Sequence, residues 1–211
     1  LPGIDLNDSA SLLDIMDGLS AGVGAVSATG LFIAAWMQGD QMILFMLAAL
    51  IGSLIGFLKY NWRPARIYMG DAGAMFIGLL LGAMAMIGKY PSEHPLSVLT
   101  PVFILGIPIF DTLFVMWIRY QRGLPIFWGS PDHIAIRLRH WGMPVPHIVL
   151  VSYAATALVG GVGLLLMLVG PDTAWGLCLA TVATLLCSTL ALKRIDVRAR
   201  RPSVVTSPDP E

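Results

Sequence analysis

Mainly apolar stretches recur along the chain at residues 19–37, 42–58, 74–88, 98–118, 147–169 and 174–192, with short polar connectors between them. Each approaches the roughly 20 residues with which an α-helix crosses the hydrocarbon core. The pattern predicts an all-α fold, a polytopic membrane helical bundle of about six transmembrane helices. The third stretch is short and glycine-rich, so its ends are the least defined. Gly52, Gly56, Gly78, Gly82, Pro101 and Pro108 fall inside spans, where membrane helices tolerate them if neighbours pack closely. Gly52 with Gly56, and Gly78 with Gly82, have GxxxG spacing. That spacing predicts close packing between helices of this one chain, and it also suits a homodimer seam.

Composition turns the pattern into a requirement for lipid. Of 211 residues, 56% are hydrophobic and 12% charged, and mean hydropathy is +0.77. Too few polar groups remain to cover a water-soluble globule, so membrane lipids are the expected surroundings. A formal net charge of zero decides nothing in a membrane chain, and no nucleic-acid partner is expected.

The placement of charge says more than its sum. Lys59, Arg63 and Arg66 share one connector, Arg119, Arg122, Arg137 and Arg139 another, and Lys193, Arg194, Arg198, Arg200 and Arg201 the tail. The predicted spans put all of these on one side, the side that basic residues hold in the cytoplasm. Connectors 37–41, 89–95 and 170–173 fall on the other side, with Lys89 as their one Lys or Arg. The expected domain is 1–192, embedded in the membrane, followed by a basic tail at 193–211 whose Pro, Ser and charge predict disorder. No basic region precedes an apolar core at the start, so no cleaved signal peptide is read there. The first residue is Leu1 rather than Met, and an upstream portion is expected to be missing. Cys178 and Cys187 are nine residues apart in the last span. They fall on opposite helix faces about 13 Å apart along the axis, too far to bond, and packing is their expected role.

Three segments on the inferred cytoplasmic side carry polar groups that packing does not explain. In Asp14-Ile15-Met16-Asp17-Gly18, helical spacing would set two carboxylates side by side, a cost relieved by a cation, a proton or a donor-rich ligand. The plain alternative is a solvated helix start. In the segment from Asn61 to Gly73, Asp71 stands between Gly70 and Gly73 at the head of the third span. Such glycines permit close backbone approach, and a following helix points unpaired N–H groups at the site. A diphosphate with Mg²⁺ would suit it; the plain alternative is an N-cap aspartate.

The third segment runs from Ser130 to Gly142. Ser130 as N-cap, Pro131 after it and Gly142 as terminator predict a short interfacial cytoplasmic helix. Its spacing puts His133, Arg137 and His140 on one stripe and Ile134, Leu138 and Trp141 on the next, so the cationic stripe would face a phosphate-bearing ligand or lipid headgroups. Asp111 lies within the fourth span. An ionisable group there predicts either function or helix pairing.

In this order, the segments resemble the polyprenyl-phosphate N-acetylhexosamine-1-phosphate transferases. Leu12 to Gly22 looks like that family's acidic DxxDGL segment, Ala65 to Gly73 its FMGDxGS segment, Gly106 to Thr112 its PIxDT segment, and Gly129 to Leu138 its histidine-containing loop. The resemblance implies transfer of a sugar 1-phosphate from a UDP-N-acetylhexosamine to a polyprenyl phosphate (undecaprenyl or decaprenyl), releasing UMP, at the cytoplasmic face of the bacterial inner membrane. It implies Mg²⁺ on Asp71, catalytic roles for Asp14, Asp17, Asp71 and His133, and substrate contacts from Asn61, Tyr68, Asp17 and Arg137. Tyr68 would stack on the uracil and Arg137 would clamp phosphate.

The chain departs from the family pattern at several points. Asp8 and Ser11 stand where the family has asparagines, the second of them near the metal. Ala74 replaces a serine and Ile136 a loop histidine, and an aspartate pair of an earlier cytoplasmic loop has no counterpart here. The N-terminal part of the family domain is thus expected to be absent. Two other readings stay open: an inactive paralogue or fragment that binds lipid phosphate or scaffolds a partner, and a small transporter with Asp111 as coupling site. The inverted repeats expected of a transporter are not seen in the sequence.

Overall fold

The structure, a computed structural model, describes residues 18–90, 95–125 and 133–193. Within them run α1 (Leu19–Gln38), α2 (Gln41–Asn61), α3 (Gly70–Ile87), α4 (Thr100–Ile104), α5 (Gly106–Gln121), α6 (Ile134–His140), α7 (Val145–Leu165) and α8 (Pro171–Lys193). A 3-10 turn at Pro95–Leu99 leads into α4. Helices α1, α2, α3, α7 and α8 are each long and apolar enough to cross a membrane, and the bent pair Pro95–Ile104 plus Gly106–Gln121, a broken span or a re-entrant loop, brings the number to six if it is counted as one span. The chain is a polytopic membrane bundle. Its tail beyond Lys193 lies outside the described residues.

Helix α1 is the centre because its buried face is small: Ala21, Gly22, Gly24, Ser27, Ala28, Leu31, Ala34 and Ala35. α2, α3 and α7 can all pack against it. Gly39, left-handed at φ 72°, ends α1, and the Asp40 carboxylate accepts from the Ile43 N–H at 3.2 Å to open α2. This side-chain cap lets a two-residue link reverse the chain. Phe45, Leu79, Met86 and Leu158 are exposed on the outside of the bundle, which is stable only in lipid. Hydroxyls of Thr29, Ser53, Ser152 and Thr184 donate to the carbonyl four residues back, so these polar groups need no water.

The stretch read as one span at 98–118 is broken, and its halves meet at 75°. Pro108 has no N–H for the Ile104 carbonyl, so the helical ladder fails there. Ser27 Oγ of α1 donates to that carbonyl at 3.3 Å, and Thr100 Oγ1 donates to the Gly163 carbonyl at 3.0 Å. The broken segment sits close against α7: a Cβ on Gly163 would stand 2.8 Å from the Thr100 carbonyl oxygen, and one on Gly106 2.8 Å from Val159.

The GxxxG pairs differ from expectation. A Cβ added at Gly52, Gly56, Gly78 or Gly82 would meet nothing within 4 Å, so neither pair is a contact between helices among the described residues. Because α1 supplies the small surface, α2 and α3 turn large residues to the core: Ile43, Leu47, Leu50 and Leu54 from one, Leu81 and Met84 from the other. Their glycines are left on the outside.

Sidedness agrees with the charge pattern. Gly18, Asn61 and Tyr153 meet at one end, where Arg137 also reaches Leu192. Leu96, Leu166, Ala174 and Cys178 cluster at the other. Cys178 is buried and Cys187 exposed, as their opposite faces require.

Candidate active site

The basic end of the bundle is organised around Gly18. It is left-handed at φ 75°, which only glycine adopts cheaply, and it begins α1 immediately after Asp17. Two neighbouring helices hold it. Its N–H donates to Asn61 Oδ1 at 2.8 Å. Its carbonyl accepts from the Tyr153 hydroxyl at 2.6 Å and from the Gly22 N–H at 2.9 Å. Tyr153 reaches across only because Gly22 has no side chain; a Cβ there would collide with the phenol ring.

Asn61 ends α2, and its side chain is 5% exposed. Its Nδ2 donates to the Ile67 carbonyl at 2.9 Å, and the Arg66 N–H donates to the Tyr60 carbonyl at 2.8 Å. Connector 62–69 is thereby folded back onto the end of α2. Tyr68 follows at once, 61% exposed. Gly70 then turns the chain at φ 65°, and Asp71 stands exposed in the first turn of α3. The helix begins at Gly70 rather than near Ala74, so Asp71 lies within it.

Asp14, Asp17 and Ser11 lie outside the described residues, as do Asp8, Ser130 and Pro131. Among the described residues no three His, Cys, Asp or Glu side chains converge. Asp71 is the one residue of the proposed carboxylate set that the structure places, next to Tyr68 and, through Ile67 and Asn61, tied to Gly18.

Helix α6 enters from the other flank and packs against α5, α7 and α8. It ends as read from the sequence. Gly142 is left-handed at φ 96°, its N–H donates to the Arg139 carbonyl at 2.9 Å, and the Met143 N–H donates to that of Leu138 at 3.2 Å. These are the two bonds of a Schellman terminus.

Its orientation differs from the expected stripe. Ala135, Ile136 and Arg137 are the buried residues, and Arg137 is 0% exposed. The guanidinium lies 5.3 Å from the Phe114 ring centroid and donates from Nη1 to the Leu192 carbonyl at 3.3 Å. A cation is favoured against an aromatic face and at the negative C-terminal end of a helix, here α8. Those attractions draw Arg137 inward and leave Trp141 70% exposed. Lys193 likewise lies 5.0 Å over Trp117.

Asp111 on α5 pairs with the start of α6. Its Oδ2 lies 2.7 Å from His133 Nδ1, and its Oδ1 accepts from the Ile134 N–H at 2.9 Å. These contacts join α5 to α6, as the helix-pairing role read from the sequence requires. Arg119 turns elsewhere, donating from Nε to the Pro125 carbonyl at 2.7 Å.

Sequence reasoning missed Tyr153. A tyrosine among the apolar residues of a span gave no sign of a partner 135 positions away; the one hint was Gly22, a glycine one turn after Gly18.

Comparison with known proteins covers the part of the site that runs from Gly18 to Asp71. The model of glycosyl transferase family 4 matches residues 8–89. The chain is 35% identical over 150 residues to a probable undecaprenyl-phosphate N-acetylglucosaminyl 1-phosphate transferase of Bacillus subtilis, covering 71% of this chain and 42% of that protein. It is 36% identical over 158 residues to a putative glycosyltransferase of Streptomyces coelicolor, covering 72% and 37%. To a phospho-N-acetylmuramoyl-pentapeptide-transferase of Levilactobacillus brevis it is 30% identical over 138 residues, covering 65% and 42%. The chain thus spans 37–42% of the length of these curated relatives. Matched through the segment that contains Gly18, Asn61, Tyr68 and Asp71, and bacterial in its relatives, this polytopic membrane chain belongs to glycosyl transferase family 4.

Proposed function

We propose that the chain forms part of the catalytic face of an enzyme that moves N-acetylhexosamine 1-phosphate from a UDP-sugar to a polyprenyl phosphate. UMP is released, and the reaction takes place at the cytoplasmic face of a bacterial inner membrane, in cell-envelope polysaccharide synthesis. The observation that carries this reading is the Asn61 amide. It binds the residue after Asp17 and the residue before Tyr68, so two acidic motifs start from one buried knot.

The donors fit Mg²⁺. Asp71 is an exposed carboxylate in the first turn of α3, behind the left-handed Gly70, and Mg²⁺ binds through one or two carboxylates with phosphate oxygens and water. When bound, the ion supplies positive charge against the diphosphate. Tyr68, exposed and next to Ile67, stacks on the uracil. Asp17 and the Asn61 knot hold the uridine, while Asp14 and His133 face the sugar phosphate. Arg137 serves the phosphate side by fixing α6 against α5 and α8. An oxygen of the lipid phosphate forms the new bond to phosphorus as the bond to UMP breaks; orientation and charge neutralisation supply the catalysis.

The test uses protein expressed from its complete open reading frame, in detergent, with Mg²⁺, undecaprenyl phosphate, and UDP-GlcNAc or UDP-MurNAc-pentapeptide. UMP release is expected, and Asp71→Asn is expected to abolish it. No release with either donor, or undiminished release from Asp71→Asn, overturns the proposal.

A further inference from the structure

Both oxygens of Asp111 are spent on the first residues of α6: Oδ2 on His133 Nδ1 and Oδ1 on the Ile134 N–H. The pair is partly enclosed, with His133 38% and Asp111 30% exposed. A carboxylate accepts and does not donate, so the hydrogen between Oδ2 and Nδ1 belongs to the imidazole. In the neutral ring this makes Nδ1 the N–H nitrogen and Nε2, on the opposite edge, the lone-pair nitrogen. The second bond caps α6 and stops the carboxylate from rotating. Asp111 is aimed by the break at Leu105, where Pro108 and the Ser27 bond to Ile104 redirect α5.

We propose that Asp111 is a positioning residue. It selects the Nδ1–H tautomer of His133 and turns Nε2 away from α5, toward the ligand that α6 serves. What Nε2 then receives is a hydrogen-bond donor, such as a hydroxyl or a protonated phosphate oxygen of the substrate. That last step rests on the transferase reading above; the tautomer itself does not.

Asp111→Asn separates the two. The amide is the same shape, but its oxygen must stay on the Ile134 N–H, because a backbone donor cannot change role. Its NH₂ then faces His133 Nδ1, which has to become the acceptor. The tautomer is expected to invert to Nε2–H.

The measurement is nitrogen NMR of the full chain in detergent, labelled at histidine, at a pH where the ring is neutral, with His133 assigned by its loss in His133→Gln. The expected result is Nδ1–H in the wild type and Nε2–H in Asp111→Asn, with both proteins monodisperse and equally helical. Nε2–H in the wild type, or Nδ1–H retained in the variant, overturns the proposal whether or not the protein turns over.

Where the wild type releases UMP, the inverted ring is expected to lower kcat on the order of tenfold or more and to change KM for the UDP-sugar less than it changes kcat. Unchanged kcat with an inverted tautomer overturns the catalytic half alone. No UMP release from the wild type defeats the transferase reading and leaves the tautomer assignment standing.

Discussion

Replacing Asn61 by leucine, which nearly preserves its shape, would remove two hydrogen bonds at once, and the structure weights them unequally. The Gly18 N–H is buried. Left without Oδ1 it carries the full desolvation penalty of a buried donor, about 1–3 kcal/mol. The Ile67 carbonyl is in an exposed turn and can turn to water, so its loss costs well under ~1 kcal/mol. The sum is about 2 kcal/mol, concentrated where α1 begins.

Hydrogen exchange followed by mass spectrometry reads this locally. Peptides covering 18–22 should exchange about 30-fold faster in Asn61→Leu, since every ~1.4 kcal/mol is tenfold, while peptides from α8 stay unchanged. On the transferase function proposed above, a loss of UDP-sugar binding should accompany it, because Gly18, the residue after Asp17, loses its anchor. If Asn61 acted only by touching the uridine, binding would weaken with no change in exchange. Unchanged exchange at 18–22 would therefore refute the reasoning that makes Asn61 a tether.

Two further outcomes follow from the geometry. Gly22→Ala should displace Tyr153 and break its bond to Gly18, destabilising the chain by about 1–3 kcal/mol; the penalty should largely vanish in a Tyr153→Ala background, as a double-mutant cycle on detergent unfolding would show. On the opposite side, burial pushes the Tyr90 phenol up to about 12, and its hydroxyl donates to the Ala85 carbonyl at 2.9 Å. The folded state favours the protonated form, so this stabilisation is whole below about pH 10 and fades as pH rises toward 12. Phenolate absorbance should show one late-titrating tyrosine fewer in Tyr90→Phe than in the wild type.

The residues that were legible in advance are those whose behaviour is local. A span of apolar residues must be in lipid whatever surrounds it, which is why the helices fell close to where hydropathy put them. Gly142 must end α6 because a left-handed residue stops a helix by its own φ. The acidic and glycine-flanked motifs could be picked out for the same reason: charge and missing side chains are properties of a short segment. Pro101 and Pro108 were visible too, but a proline announces only a lost N–H. The 75° turn needed Ser27 on another helix to satisfy the freed carbonyl.

Partner choice was not local, and only the tertiary structure decided it. GxxxG spacing in α2 and α3 predicted contacts that went instead to Gly22, Gly106 and Gly163, because whether a missing side chain is filled depends on which helix arrives there. Arg137 reads as a surface cation until Phe114 and the end of α8 enclose it. Asp111 finds His133 across 22 positions, and Tyr153 finds Gly18 across 135. The sequence by itself determined that this chain lives in a membrane, where its helices lie and which residues carry charge, since each follows from the transfer free energy of short segments. Which of those charged and polar groups are joined was settled by packing, because a hydrogen bond is worth making only where two distant segments are held at bonding distance with water shut out.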